Sequence, residues 1–312
     1  LLGNGWYNHQ SLAVWNFHNA PWRNRPAFCL DLKIVYEDGS IEVVSSDKDW
    51  KTSTGSLISN SIYTGVHYDA RQEQKGWSTI EFNDSEWEDV IYRSVPSQKI
   101  VAQQMHPIRV VDTVNTAKLN RINDTTYVFD FGRNMAGITL LKVRGESGTI
   151  IRLKHGERIY PNGLVDVSNI DVYCQPVVLS DPFQTDIMIL RGGEEEKFLT
   201  KFNYKGFRYV EVTSNNPIEL VNESLTAYFI HSDVPQVGFI HTSDSLINRL
   251  WRATNNSYLS NFVGYPTDCP QREKNGWTGD AHLAIESALY NFDGITVYEK
   301  WLADHRDEQQ PN

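Results

Sequence analysis

Three carboxylates, Asp268, Glu273 and Asp280, fall within thirteen residues in the stretch YPTDCPQREKNGWTGDAHLA, residues 265–284. Arg272 and Trp277 stand among them, and Pro266, Pro270, Gly276 and Gly279 break the backbone. Such a cluster suits acid–base chemistry. Paired carboxylates are the usual proton donors and bases of glycoside hydrolysis. One of the pair must stay neutral at working pH, and burial or a neighbouring like charge raises its pKa to that end. Three acids so close in sequence supply that repulsion, and Arg272 can keep one of them ionised while another holds its proton. Trp277 offers a low-dielectric wall and a face for a sugar to stack on. Gly276 and Gly279 let the backbone come close to a ligand.

Each residue also has a plainer reading. Asp280 directly precedes a helical pattern and reads equally as its N-cap. Asp268 reads as a cap for the turn before Pro270. Glu273, beside Lys274, reads as a solvated surface acid, and Arg272 as a structural ion-pair partner. His282 reads as a packed helix residue rather than a base. The cluster as a whole, more than any member, points to chemistry.

The elements that must position it change type along the chain. The first two-thirds reads as strands. In AFCLDLKIVY, Phe28, Leu30, Leu32, Ile34 and Tyr36 share one face by alternation, EDGS turns, and IEVVSS returns. TYVFDFG, GITLLKVRG, GTIIRLKHGERI, DIMILRGG and GFRYVEVTS continue the pattern, punctuated by Gly145, Gly148, Gly192 and Gly193. Packed antiparallel sheets are expected, with a soft boundary near residues 110–115. Near residue 240 the period becomes helical. Leu246, Ile247, Leu250, Trp251, Tyr258, Leu259 and Phe262 recur mostly at helical spacing, with Ser243 as N-cap. AHLAIESALYNF and VYEKWLADHRDEQ follow as two more helices, too few to enclose a deep site.

Composition bounds the partners. At 312 residues the chain exceeds one ordinary core and suggests two or three domains. A net charge of −10 argues against nucleic acid or an anionic membrane as main partner. No run of about 18 apolar residues exists to span a bilayer. Cys29, Cys174 and Cys269 form neither a disulfide framework nor a zinc site, so no metal and no cofactor are expected. The sequons at Asn83, Asn123, Asn222 and Asn255 read as chance. RGGEEEKF reads as a solvated turn, and Trp22 in PWRNRP as a sandwich edge rather than a ligand contact. The opening LLGNGWYN and the closing RDEQQPN both read as cuts, so a missing signal peptide leaves localisation unknown. A periplasmic or secreted site is weighed slightly above a cytoplasmic one.

DCPQREKNGWTGDAH resembles the signature of bacterial α-L-rhamnosidases of glycoside hydrolase family 78. LLGNGWYN, YDAR with its following GW, VFDFGRNMAG, LKHGERIYPNG and FNYKGFRYVEV resemble that family's β-domain motifs in family order. The resemblance implies a rhamnosidase-type N-terminal β-sandwich over residues 1–112, its start missing. It further implies a second, concanavalin-like β-sandwich over 113–235, and the opening of an (α/α)6 six-hairpin barrel over 236–312. It makes Glu273 the general acid. Asp268, Arg272, Trp277 and Asp280 become substrate-binding, Arg272 also ordering the acids. Family members invert the anomeric centre, and a second Glu late in the barrel activates water. That base is expected beyond residue 312, so this chain reads as an internal piece, inactive by itself, of an enzyme cutting terminal α-L-rhamnose from plant-derived glycosides or polysaccharides. Two alternatives remain: a non-catalytic carbohydrate-binding or scaffolding piece, and another (α/α)6-barrel exo-glycosidase.

Overall fold

The computed structural model describes residues 1–8, 12–15, 19–20, 23–94, 97, 99–170, 175–176 and 182–309, for 12–13 and 175–176 the backbone alone. Trp22 and Cys174 lie outside the described residues.

The chain is mostly β, built on one curled sheet that carries three helices. Among the described residues ten strands join this sheet. Its order runs Leu57–Asn60, Val66–Asp69, Thr185–Ile189, Ile150–Gly156, Lys205–Ser214, Thr126–Val143, Leu225–Ser232, Ile108–Asn115. The curl comes from Thr126–Val143, where the sequence suggests two strands. TYVFDFG and GITLLKVRG instead form one strand of 18 residues, bent at a register shift between Asp130 and Met135. Gly132, at φ 76°, takes the left-handed backbone that this bulge requires. Before the bend the strand pairs with Lys118–Asn123, and after it with Glu196–Leu199 and Leu225–Ser232. Inside the curl sit Phe129, Leu141, Ile151, Leu153, Phe207, Val210, Val212 and Ala227, all fully buried.

The pairing is antiparallel except where Val66–Asp69 meets Thr185–Ile189 in parallel. By that pair the first 112 residues lend strands to the sheet. Asp31–Val35 and Ile41–Ser45 form the expected hairpin. Its alternating face is not a core, however: Phe28, Leu30, Leu32 and Tyr36 are exposed. Alternation placed them on one side, but that side stays largely open to solvent. In RGGEEEKF, Glu194 and Glu195 are exposed, whereas Glu196 turns inward and accepts the amides of Arg191 and Gly192 at 3.0 and 2.9 Å.

Helices α1 (Ser245–Ser260), α2 (Thr278–Asn291) and α3 (Ile295–Asp307) follow the last sheet strand. The N-cap of α1 is Asp244 rather than Ser243, its carboxylate accepting the Leu246 amide at 2.7 Å. Tyr258, Phe262 and Phe292 stack, with centroids 4.9 and 5.6 Å apart, and close a small core with Val234, Val297 and Tyr298. The opposite flank is open: Leu246, Ile247, Leu250, Leu283 and Leu302 are exposed. His282 is exposed too, not packed as expected, because no described element covers that side of α2.

Candidate active site

The acid loop joins α1 to α2, and local bonds shape it first. Asp268 and Asn275 close it, Asp268 N donating to the Asn275 carbonyl at 3.1 Å and Asn275 N to Asp268 Oδ1 at 3.0 Å. Cys269 Sγ donates to Asp268 Oδ2 at 2.8 Å and accepts the Glu273 amide at 3.2 Å. Asp268 is therefore more than a turn cap: it bridges the two ends of the loop. Burial, helped by the charge of Glu273, raises its pKa above the usual carboxylate value. Burial and the bond to Asp268 push the Cys269 thiol up to about 11.

The sheet holds the loop from below. Lys274, at φ 55°, is fully buried and sends its ammonium to the carbonyls of Ile62 at 2.7 Å and Tyr204 at 2.6 Å. The same ammonium lies 4.5 Å over the Tyr204 ring. Tyr63 Oη donates to the Glu273 carbonyl at 3.2 Å, and Tyr265 Oη to the Lys274 carbonyl at 2.9 Å. Gly206 allows the approach, since a Cβ there would lie 2.8 Å from the Gln271 backbone. The Glu273–Lys274 pair is thus not a solvated surface run. Lys274 faces the β body and Glu273 faces out from beside it, itself only 9% exposed.

Glu273 is the centre of the arrangement. Its Oε2 accepts two indole N–H groups, from Trp15 at 2.7 Å and Trp277 at 2.8 Å. Its Oε1 lies 3.6 Å from Arg272 Nη2. The two indoles meet edge to face, with centroids 6.2 Å apart and planes at 86°. Both are open to solvent, Trp15 at 65% and Trp277 at 39%. A carboxyl with one edge at the surface, a guanidinium and an open aromatic corner can bind a sugar and exchange a proton with it. Asp280 stands apart, exposed in the first turn of α2, its side chain making no hydrogen bond among the described residues. It does not cap that helix: the N-cap position is Trp277. Gly276 serves packing rather than a ligand, for a Cβ there would meet the Trp301 indole nitrogen at 2.8 Å, while Gly279 has open space around it. Among the described residues no group of three or more His, Cys, Asp or Glu could hold a metal ion.

Three family models match the chain in succession. The alpha-L-rhamnosidase N-terminal domain matches residues 1–112, the bacterial alpha-L-rhamnosidase concanavalin-like domain 120–231, and the bacterial alpha-L-rhamnosidase 6 hairpin glycosidase domain 235–312. The chain belongs to the bacterial alpha-L-rhamnosidase family. An alpha-L-rhamnosidase of Streptomyces avermitilis is 34% identical over 98% of this chain and 28% of its own length. One from Formosa agariphila is 31% identical over 100% of this chain and 32% of its own length. The chain therefore spans about a third or less of these relatives. Among solved structures, the Dictyoglumus thermophilum alpha-L-rhamnosidase superposes with a TM-score of 0.86 at 38% identity, covering 93% of this chain and 32% of that one. The Streptomyces avermitilis alpha-L-rhamnosidase complexed with L-rhamnose gives 0.87 at 32% identity, covering 98% and 29%.

The sequence motif placed Glu273, Arg272, Asp268 and Trp277 together, and the structure joins them through the bonds above. Trp15 and Lys274 were missed. Trp15 lies 258 positions from Glu273, in a stretch with no clear period. Lys274 read as an ordinary polar neighbour, and nothing in a single sequence marks a buried lysine.

Proposed function

We propose that the protein carrying this chain is an inverting α-L-rhamnosidase acting on terminal α-L-rhamnose of plant-derived glycosides or polysaccharides, with Glu273 as general acid. The observation that carries the reading is the Glu273 carboxyl itself, one oxygen held by two indoles and the other beside Arg272 at the mouth of an open aromatic corner. In this reading the neutral acid passes its proton to the glycosidic oxygen as the bond to the anomeric carbon breaks. The bonding pair leaves with that oxygen, and the sugar takes on oxocarbenium character. Water then adds from the opposite face, activated by a base supplied outside these residues and roughly 6.5–9.5 Å from the acid. Asp268, Asp280 and Arg272 hold hydroxyls or tune the acid, and Trp277 stacks on the sugar. The finer architecture belongs to the same proposal: two β-sandwich units, 1–112 and 113–235, then the opening of an (α/α)6 barrel at 236–312.

The test is Glu273→Gln in a protein of family length that includes this chain. The rate on rhamnosides with poor leaving groups falls by about a hundredfold or more, the usual worth of general acid catalysis. Activated aryl rhamnosides, which need less protonation, lose less. Equal and mild losses on both overturn the assignment.

A further inference from the structure

Trp15 is out of place as a structural residue. Its ring is mostly exposed, so it contributes little to any core. Its backbone sits at φ 51°, the left-handed region that bulky residues avoid. Strain without burial calls for another return, and among the described residues Trp15 bonds to Glu273 and meets the Trp277 ring. A carboxyl oxygen offers about two lone-pair sites, and two indole N–H groups fill those of Oε2. Those donors cannot share that oxygen with an acidic proton. In the neutral acid the O–H therefore resides on Oε1.

We propose that Trp15, given Glu273 as the general acid, is a positioning residue that fixes which oxygen delivers the proton, and that its exposed ring walls the place of the leaving group. The proton goes from Oε1 to the glycosidic oxygen, which also takes the bonding pair of the broken C–O bond. The carboxylate left behind keeps both N–H donors on Oε2, so no reorganisation accompanies the transfer. The exposed face of Trp15 stands at 86° to Trp277, so the two rings wall adjacent sides of the carboxyl. If Trp277 carries the sugar, Trp15 meets what is attached to it, and a flat apolar aglycone fits that wall best.

Two variants separate the N–H from the ring, again in a protein of family length. Trp15→Phe keeps a ring and removes the donor. Loss of one hydrogen bond to a charged group predicts about a tenfold lower kcat on methyl α-L-rhamnoside with KM little changed. The loss on nitrophenyl α-L-rhamnoside is smaller, so the ratio of the two rates moves whatever fraction of the variant folds. Trp15→Ala removes the wall as well and raises KM for aryl rhamnosides but not for the methyl glycoside. An unchanged rate ratio in Trp15→Phe overturns the proposal. Glu273→Gln, measured beside it, separates the two failures. If Gln spares the methyl glycoside, the general-acid reading fails as well. If Gln abolishes turnover while Trp15→Phe leaves the ratio untouched, Trp15 alone is misassigned.

Discussion

Two clusters in this chain each set a carboxylate beside a cation and meet water differently. In the β body, Lys205 and Asp186 pair at 2.7 Å with side chains 2% and 0% exposed. Asp186 Oδ1 also accepts the Val66 amide at 2.9 Å, and Lys205 donates to Asn203 at 3.0 Å. His155, fully buried beside them, touches the carbonyls of Leu153 and Gln184, and desolvation lowers its pKa to about 3, so it is neutral. In the acid loop, Glu273 has Arg272 close by but keeps an edge at the surface between two exposed tryptophans. A closed cluster can only specify a fold, because its charges have no route to a ligand. A half-open one can exchange a proton with a substrate while fixed donors hold the carboxyl in place. The contrast recurs between adjacent residues, Lys274 tying the loop to the sheet and Glu273 facing out from it.

Acid should break the closed cluster first. His155 has a folded pKa of about 3 against an ordinary value of 6.5. The unfolded chain therefore binds a proton that the folded chain refuses. Stability is full above pH 6.5 and falls as pH drops toward 3, by about 1.4 kcal/mol for each pH unit from this group. Asp69, held at about 2 chiefly by its hydrogen bonds with Arg71, adds to the loss below its ordinary 3.8. Asp268 has the opposite sign, since its raised pKa relieves a cost as pH falls. Urea midpoints across this range, compared with those of His155→Asn, check it: the variant flattens the slope, and an unchanged slope assigns the effect elsewhere.

Lys205→Met tests the closed cluster directly. It strands the Asp186 charge in the interior and should cost about 3–5 kcal/mol of unfolding free energy. Glu273→Gln, by contrast, removes most of the turnover while lowering the unfolding free energy by less than about 1 kcal/mol. Comparable stability losses in the two variants would erase the distinction between the clusters. Lys274→Met should fall between them. It leaves the Ile62 and Tyr204 carbonyls without their shared donor, at about 1–3 kcal/mol, and loosens the loop that carries Glu273. Reduced stability and reduced turnover together sharpen the view that the sheet positions the acid. A loss of stability with turnover intact would make Lys274 a tie for the fold alone.

Much of the candidate site was legible because it is local. Asp268, Arg272, Glu273 and Trp277 lie within ten residues, and a loop that short must bring them near one another. The helices were legible by their period and the strands by alternation. Period and alternation say which side chains share a face but not what covers it. Hence Phe28, Leu30, Leu32 and Tyr36 share a side yet stay exposed, and Leu246 and Leu250 lie on an open flank of α1. The bulge that fuses two expected strands into Thr126–Val143 depends on pairing with distant partners. So does the arrival of Trp15 at a carboxyl 258 positions away, and so does the burial of Lys274 under Ile62 and Tyr204. By itself the sequence determined which side chains crowd the loop and the kind of most elements. Only the tertiary structure decided which charge is sealed and which is offered, because burial belongs to the packed chain and not to the residue.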